Sequence, residues 1–219
     1  MKRFLLCVFI SGFIILAGFS EGDTFEETLH RRLLLAMSTE DYLVTPGDVY
    51  KLTYLSSNEL ITYEVVLESD FNLNLNVFGK INAENLTFTA LKKLVEEKIA
   101  DAYPDSTPSM TILSNGIFQV YIKGEVIRAG YITAWGLTRL SHILEDYRTP
   151  YSSIRDIEII SRDGNSRKYD LFKAQRFGKP EEDPRLRPND IITISKIERT
   201  VQLLGEVRRP GEYQLLPGQ

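Results

Sequence analysis

Gly124-Glu125-Val126-Ile127-Arg128-Ala129-Gly130 returns 81 residues later as Gly205-Glu206-Val207-Arg208-Arg209-Pro210-Gly211. An internal repeat constrains architecture before any single element is assigned, because each copy is one supersecondary unit. Both copies follow an apolar β-branched run, 117–122 and 201–204, and both are followed by an aromatic, Tyr131 or Tyr213. That pattern predicts two hairpins. In Arg209-Pro210-Gly211-Glu212, Pro presets φ at the second turn position and Gly supplies the positive φ of a type II turn at the third. Arg128-Ala129-Gly130-Tyr131 keeps the Gly and loses the Pro. Gly124 and Gly205 end the incoming strands, where a missing Cβ permits a bulge or a close backbone approach.

Related turn chemistry appears outside the repeat. Thr45-Pro46-Gly47-Asp48 precedes the strand-like run from Val49, and Arg187-Pro188-Asn189-Asp190 precedes the run from Ile191. Asn tolerates the left-handed region that Gly47 supplies in the first turn. The default role of these steps is turn geometry; direct contact with a ligand or partner is the alternative.

Hydrophobic periodicity fills in the rest. Residues 24–37 read as a helix, with Thr24 and Glu27 as a capping box and Phe25, Leu29, Leu33 and Ala36 as its apolar stripe. It is a core helix or a partner-docking one. Strands are expected at 49–55, 61–67 and 73–78, the last because Leu73, Leu75 and Val77 alternate with asparagines. The strongest helix spans 89–103, burying Leu91, Leu94, Val95 and Ile99 and ending before Pro104. Further strands are expected at 110–113, 117–122, 154–160, 168–172, 191–194 and 201–204. A short helix at 137–147 turns Leu140, Ile143 and Leu144 inward, and 178–184 reads as a surface loop. The fold class is α+β.

Composition narrows function. The 219 residues are 43% hydrophobic and 26% charged with a net charge of −4, which is globular and poorly suited to nucleic acid. Cys7 is the only cysteine, and the histidines are His30 and His142. Intrachain disulfides and cysteine-based zinc sites are therefore excluded. Lys2 and Arg3 precede an apolar run over 4–19, followed by Glu21 and Asp23. This reads as a signal peptide cleaved after Ser20, an uncleaved anchor being the alternative. Leu16-Ala17-Gly18 is followed by Phe19 rather than Cys, so no lipid anchor is expected.

Taken in order, Leu43-Val44-Thr45-Pro46-Gly47-Asp48-Val49, then Phe78-Gly79-Lys80-Ile81, then the helix, resemble the polysaccharide export domain of capsule and exopolysaccharide export proteins. The Gly-Glu-Val repeats resemble the SLBB module, a β-grasp fold that follows it in that family. The resemblance implies an export domain over 42–115 behind an N-terminal helical segment at 21–41. It implies an SLBB domain over 116–197 and the start of a second over 198–219, which has its first hairpin but no helix or later strands. It further implies a periplasmic protein associated with the outer membrane. Members assemble as homo-oligomeric rings that conduct polysaccharide, with an inner-membrane polysaccharide co-polymerase as partner. The capsule type crosses the outer membrane with a C-terminal amphipathic helix, for which this sequence offers no segment. A monomeric periplasmic adaptor that binds glycan or a partner is the alternative.

No enzymatic constellation emerges. Ser141-His142 are adjacent on a short helix, where neighbours diverge, and no third group orients them. Glu125 and Glu206 are equivalent positions in separate copies, not a facing carboxylate pair. No P-loop or dinucleotide fingerprint is present, and neither cofactor nor metal is expected. The residues singled out are Pro46, Gly47, Asp48, Gly124, Glu125, Val126, Gly130, Gly205, Glu206, Val207, Pro210 and Gly211, as turn or subunit-contact positions. Tyr131 and Trp135, with Tyr147 and Tyr151, are candidate glycan-facing aromatics, a core or subunit-contact role being the alternative.

Overall fold

The computed structural model describes residues 25–40, 42–216 and 218–219. The signal-peptide reading and the Thr24 end of the capping box lie outside them. Helices and sheets are interleaved in an α+β arrangement.

Helix α1 (Phe25–Ser38) opens the described chain. Strand β1 (Val49–Ser56) pairs antiparallel with β2 (Glu59–Val66). Ser57 and Asn58, both at positive φ, make the two-residue turn between them, the form that matches strand twist. Strand β5 (Ser109–Ser114) flanks β1 on the other side, giving the order β2-β1-β5. Helix α2 (Phe88–Ala102) crosses this sheet, with Thr87 Oγ1 accepting the Ala90 N–H at 3.2 Å as its N-cap. Tyr50, Leu52, Leu91, Val95, Ile99 and Met110 form the centre of the core, and Ala36 ties α1 to it.

Two expectations are corrected here. The 73–78 strand stops early: β3 (Asn72–Asn74) pairs with β4 (Lys80–Asn82) across a 3-10 turn, Asn76–Phe78. Asn76 sits at φ 55° and breaks the alternation, leaving Val77 82% exposed while Leu73 and Leu75 are buried. Leu94 is 44% exposed rather than buried, because Leu91, Val95 and Ile99 already cover the sheet.

A second apolar cluster, from Phe118 to Ile194, organises a five-stranded sheet. Strands β6 (Ile117–Gly124) and β7 (Gly130–Trp135) are its hairpin. Then come helix α3 (Leu140–Tyr147), strands β8 (Ser152–Ile160) and β9 (Ser166–Tyr169), helix α4 (Leu171–Phe177) and strand β10 (Ile191–Lys196). The order is β7-β6-β10-β8-β9, with β10 in the middle, parallel to β6 and antiparallel to β8. The strand expected at 168–172 ends at Tyr169. Asp170 then accepts the Lys173 N–H and caps α4, and Gly178 at φ 64° closes it. The expected 178–184 loop holds a 3-10 turn, Pro180–Glu182, whose Glu182 accepts the Asp170 N–H at 2.9 Å.

The second repeat forms a separate ribbon, β11 (Arg199–Leu203) paired with β12 (Gly211–Leu215). It is held to the five-stranded sheet by Arg155, whose guanidinium donates to the Gln214 carbonyl at 2.7 Å and pairs with Asp170 at 3.3 Å. Phe172 packs edge-on against Tyr213 beside it. Among the described residues no helix is long and apolar enough to cross a membrane.

Candidate functional site

The Thr45–Asp48 turn lies where the two apolar clusters meet. Asp48 N–H closes it on the Thr45 carbonyl at 2.9 Å, with Gly47 at φ 90°, as a type II turn requires. The Asp48 carboxylate is fully buried. It accepts from the Thr45 N–H at 2.9 Å, the Gly116 N–H at 2.6 Å, and the hydroxyls of Tyr42 and Tyr50, each at 2.9 Å. Burial pushes its pKa up, and the Gly116 and Thr45 N–H groups and the two phenols work against that. Burial, and then the Asp48 charge, push Tyr42 and Tyr50 upward, so both stay protonated and remain donors. Gly116 is needed for the approach: a Cβ there would stand 2.3 Å from the Pro46 carbonyl oxygen. Pro46, Gly47 and Asp48 thus serve the junction.

Arg187-Pro188-Asn189-Asp190 repeats this device in the second sheet. Asp190 N–H donates to the Arg187 carbonyl at 3.2 Å, Asp190 Oδ2 accepts the Arg187 N–H at 2.7 Å, and Asn189 takes φ 69°. The Arg187 guanidinium reaches across to the Val44 carbonyl at 3.2 Å through Nη2. Its Nη1 and Asp190 Oδ1 are buried without hydrogen-bond partners. Burial pushes Asp190 up to about 6, against the Arg187 N–H and guanidinium. A cleft of 430 Å³ separates these groups from Phe71, Glu84 and Asn85.

The Gly-Glu-Val copies match in backbone. Gly124 and Gly205 take φ 93° and 86°, Gly130 and Gly211 take 155° and 149°, and the N–H of Val126 and of Val207 each reach back two residues to the glycine carbonyl at 2.9 Å. The type II reading of the second glycine is corrected, since its φ lies far from the required +80°. The tight turn belongs to the first glycine, and Gly130 and Gly211 instead start β7 and β12. Pro210 precedes that strand, where its missing N–H removes no ladder bond. The copies continue in step: Trp135 N–H and Leu216 N–H donate to Thr138 Oγ1 and Gln219 Oε1, at 3.0 and 3.2 Å.

Their surroundings differ. A Cβ on Gly124 would lie 2.2 Å from the Ile194 carbonyl oxygen, which accepts the Glu125 N–H at 2.8 Å, whereas a Cβ on Gly205 meets nothing within 4 Å. Glu125 accepts the Thr149 hydroxyl at 2.8 Å, while Glu206 is exposed. Val120 and Ile122 are fully buried, but their counterparts Val201 and Leu203 are 37% and 40% exposed.

The aromatic candidates part company. Trp135 is half-buried under the Arg32 guanidinium, 5.4 Å from its ring centre, and packs on the first core. Tyr131 is 73% exposed on edge strand β7, edge-on to Tyr121. Ser141 and His142 serve the start of α3: Asp183 accepts from the Ser141 N–H and hydroxyl, and His142 Nδ1 accepts the Arg139 N–H. Among the described residues no group of three or more His, Cys, Asp or Glu is placed to hold a metal ion. Two partners of the turn aspartates were missed at the sequence level. The Tyr42 and Tyr50 phenols give no local signal, and the reach of Arg187 to Val44 spans 143 residues. No protein-family model matches the chain, and no curated protein matches it significantly.

Proposed function

We propose that this protein is a non-enzymatic subunit of a ring-like conduit that exports polysaccharide across the periplasm and outer membrane. In this reading β1–β5 with α2 form a polysaccharide export domain. The sheet of β6–β10 with α3 is a β-grasp SLBB domain, and β11–β12 begin a second. The chain is secreted through a cleaved signal peptide without a lipobox, assembles as a homo-oligomer, and works with an inner-membrane polysaccharide co-polymerase. The observation that carries the reading is the duplicated hairpin, whose second copy turns toward solvent the apolar positions that the first copy buries. A partly exposed apolar strand pair is a surface for association, and head-to-tail packing of identical copies gives a ring when the rotation between neighbours closes. No bond-making step is assigned to any residue; the turns and hairpins set module geometry and neighbour contacts.

Light scattering of residues 21–219 across concentration tests this. A discrete high oligomer supports the conduit, and a monomer at every concentration rejects it. The second reading, a monomeric glycan- or partner-binding periplasmic adaptor, is favoured by one observation: an open groove beside Tyr151, between the two repeats.

A further inference from the structure

That groove has a volume of 780 Å³, within the range of small-molecule sites. Ile154 and Ile197 give it an apolar floor, and Tyr151, 63% exposed, forms one wall. Thr200, Glu212 and Gln214 form the other, from the face of the second hairpin opposite Val201 and Leu203. Arg148 and Glu198 stand at its sides.

The tyrosine is held in place. Tyr151 N–H donates to Thr149 Oγ1 at 3.1 Å, and that hydroxyl donates to Glu125 at 2.8 Å. Ile197 N–H donates to the Tyr151 carbonyl at 2.8 Å, and the Lys196 ammonium sits 5.8 Å from the ring centre. The repeat carboxylate Glu125 therefore braces the turn that presents an exposed aromatic ring. Such bracing reduces the ordering a ligand must impose.

The lining selects a ligand class. Arg148 and the Lys196 ammonium on the Tyr151 ring stand against Glu198 and Glu212, so the groove has no net charge that would draw in an ionic ligand. Glu198 and Glu212 only accept, Arg148 only donates, and the Thr200 hydroxyl can do both. A hydroxyl both donates and accepts, so a neutral polyol satisfies all of them. The Tyr151 ring offers the flat apolar face that the C–H side of a pyranose covers.

We propose that this groove binds a neutral oligosaccharide segment, stacked on Tyr151 and hydrogen-bonded by Arg148, Glu198 and Glu212, and that Glu125 is a positioning residue for the Tyr151 turn. The proposal rests on the reading that the protein handles glycan, and adds a site to it.

The test is saturation-transfer NMR with titration calorimetry on the full chain, using maltotriose, cellotriose and mannotriose, with trigalacturonate as the charged comparison. At least one neutral trisaccharide binds with a Kd of about 1 mM or tighter, and trigalacturonate binds more weakly. Tyr151→Ala weakens binding at least about tenfold with an unchanged thermal midpoint, because the ring is exposed, while Tyr151→Trp retains it. Glu125→Ala weakens binding without touching the sugar, and Glu125→Gln, which keeps an acceptor for Thr149, restores it. Absence of binding by all three neutral sugars, preference for trigalacturonate, or an unaltered Kd in Tyr151→Ala overturns the proposal. Light scattering on the same samples reports assembly independently, so a failed glycan site is distinguished from a failed conduit.

Discussion

Gly124→Ala and Gly205→Ala make one substitution at the two equivalent positions of an internal repeat, and the structure assigns them unequal costs. Both glycines hold φ near +90°, so alanine at either one bears the left-handed penalty of roughly 1–2 kcal/mol. Gly205 bears little else, since its added methyl meets nothing within 4 Å. At Gly124 the methyl carbon would stand 2.2 Å from the Ile194 carbonyl oxygen, about 1 Å inside the closest C–H···O contacts seen between strands. That oxygen belongs to central strand β10 and accepts the Glu125 N–H. Relief requires β6 and β10 to part, which loses one or two hydrogen bonds at about 1 kcal/mol each and loosens the apolar packing beneath. Gly124→Ala is therefore expected to destabilise by about 3–5 kcal/mol and Gly205→Ala by about 1–2 kcal/mol. Urea unfolding followed by far-UV circular dichroism measures both, with the slope as a check that the same transition is observed. Equal shifts in midpoint, or a Gly124→Ala protein as stable as the wild type, would refute the tight β6–β10 approach on which the asymmetry rests.

Three further outcomes are expected. Asp48→Ala strands the Tyr42 and Tyr50 hydroxyls and two backbone N–H groups, and is expected to lower stability by about 3–5 kcal/mol, read by urea unfolding at pH 7; a loss below about 1 kcal/mol contradicts the buried network. Asp190 titrates at about 6 in the fold and near 3.9 unfolded, so between those values the folded chain holds more protons. Its contribution to stability therefore falls as pH rises through that window and is flat above it, by up to about 3 kcal/mol. Asp190→Asn, whose amide oxygen can still cap the Arg187 N–H, should lose this component, and identical pH profiles for the two proteins from pH 4 to 7 contradict it. Val201→Ser with Leu203→Ser changes monomer stability by less than about 1 kcal/mol, because both side chains are partly exposed, and should abolish higher assembly in light scattering. Assembly that survives both substitutions places the subunit contact elsewhere.

Local signals carried much of the architecture. Val49 and Ile191 follow turn residues whose φ demands can be read from Pro, Gly and Asn, and the structure begins β1 and β10 at these two positions. Reading failed where two signals compete over a few residues. Alternation over 73–78 predicts a strand, but Asn76 tolerates positive φ and ends it. At Asp170 the same chemistry that permits a strand end also caps a seven-residue helix, too short to show helical periodicity. The junction was hidden for a different reason. Asp48 is legible as a turn residue, yet its burial depends on Gly116 arriving from the β5–β6 connection and on the Tyr42 and Tyr50 phenols turning onto its carboxylate. Likewise, the two glycines of each repeat are visible, but which one makes the tight turn is decided by the hairpin's register, not by the presence of proline.

The weakest element is also the one that can respond most to its surroundings. An isolated two-stranded ribbon is marginally stable in water, and β11–β12 buries little of its own apolar face. What fixes it is the Arg155 guanidinium on the Gln214 carbonyl, the Gln214 amide on the Ser153 hydroxyl and the Phe172–Tyr213 contact. Arg155 is committed on both sides, since it also pairs with Asp170 and lies over the Phe172 ring at 5.3 Å. Arg155→Met keeps the stem and removes its polar links to Gln214, Gln219 and Asp170, so local opening of 199–215 should become easier while the β6–β10 sheet stays folded. Hydrogen exchange separates the two, because local opening is read amide by amide. The β11–β12 amides should exchange at least about tenfold faster, a change of about 1.4 kcal/mol in opening free energy, with β6 and β10 little altered. Uniform acceleration across both sheets would show that the ribbon is an integral part of the fold, and the asymmetry between the two copies would then lie only in exposure.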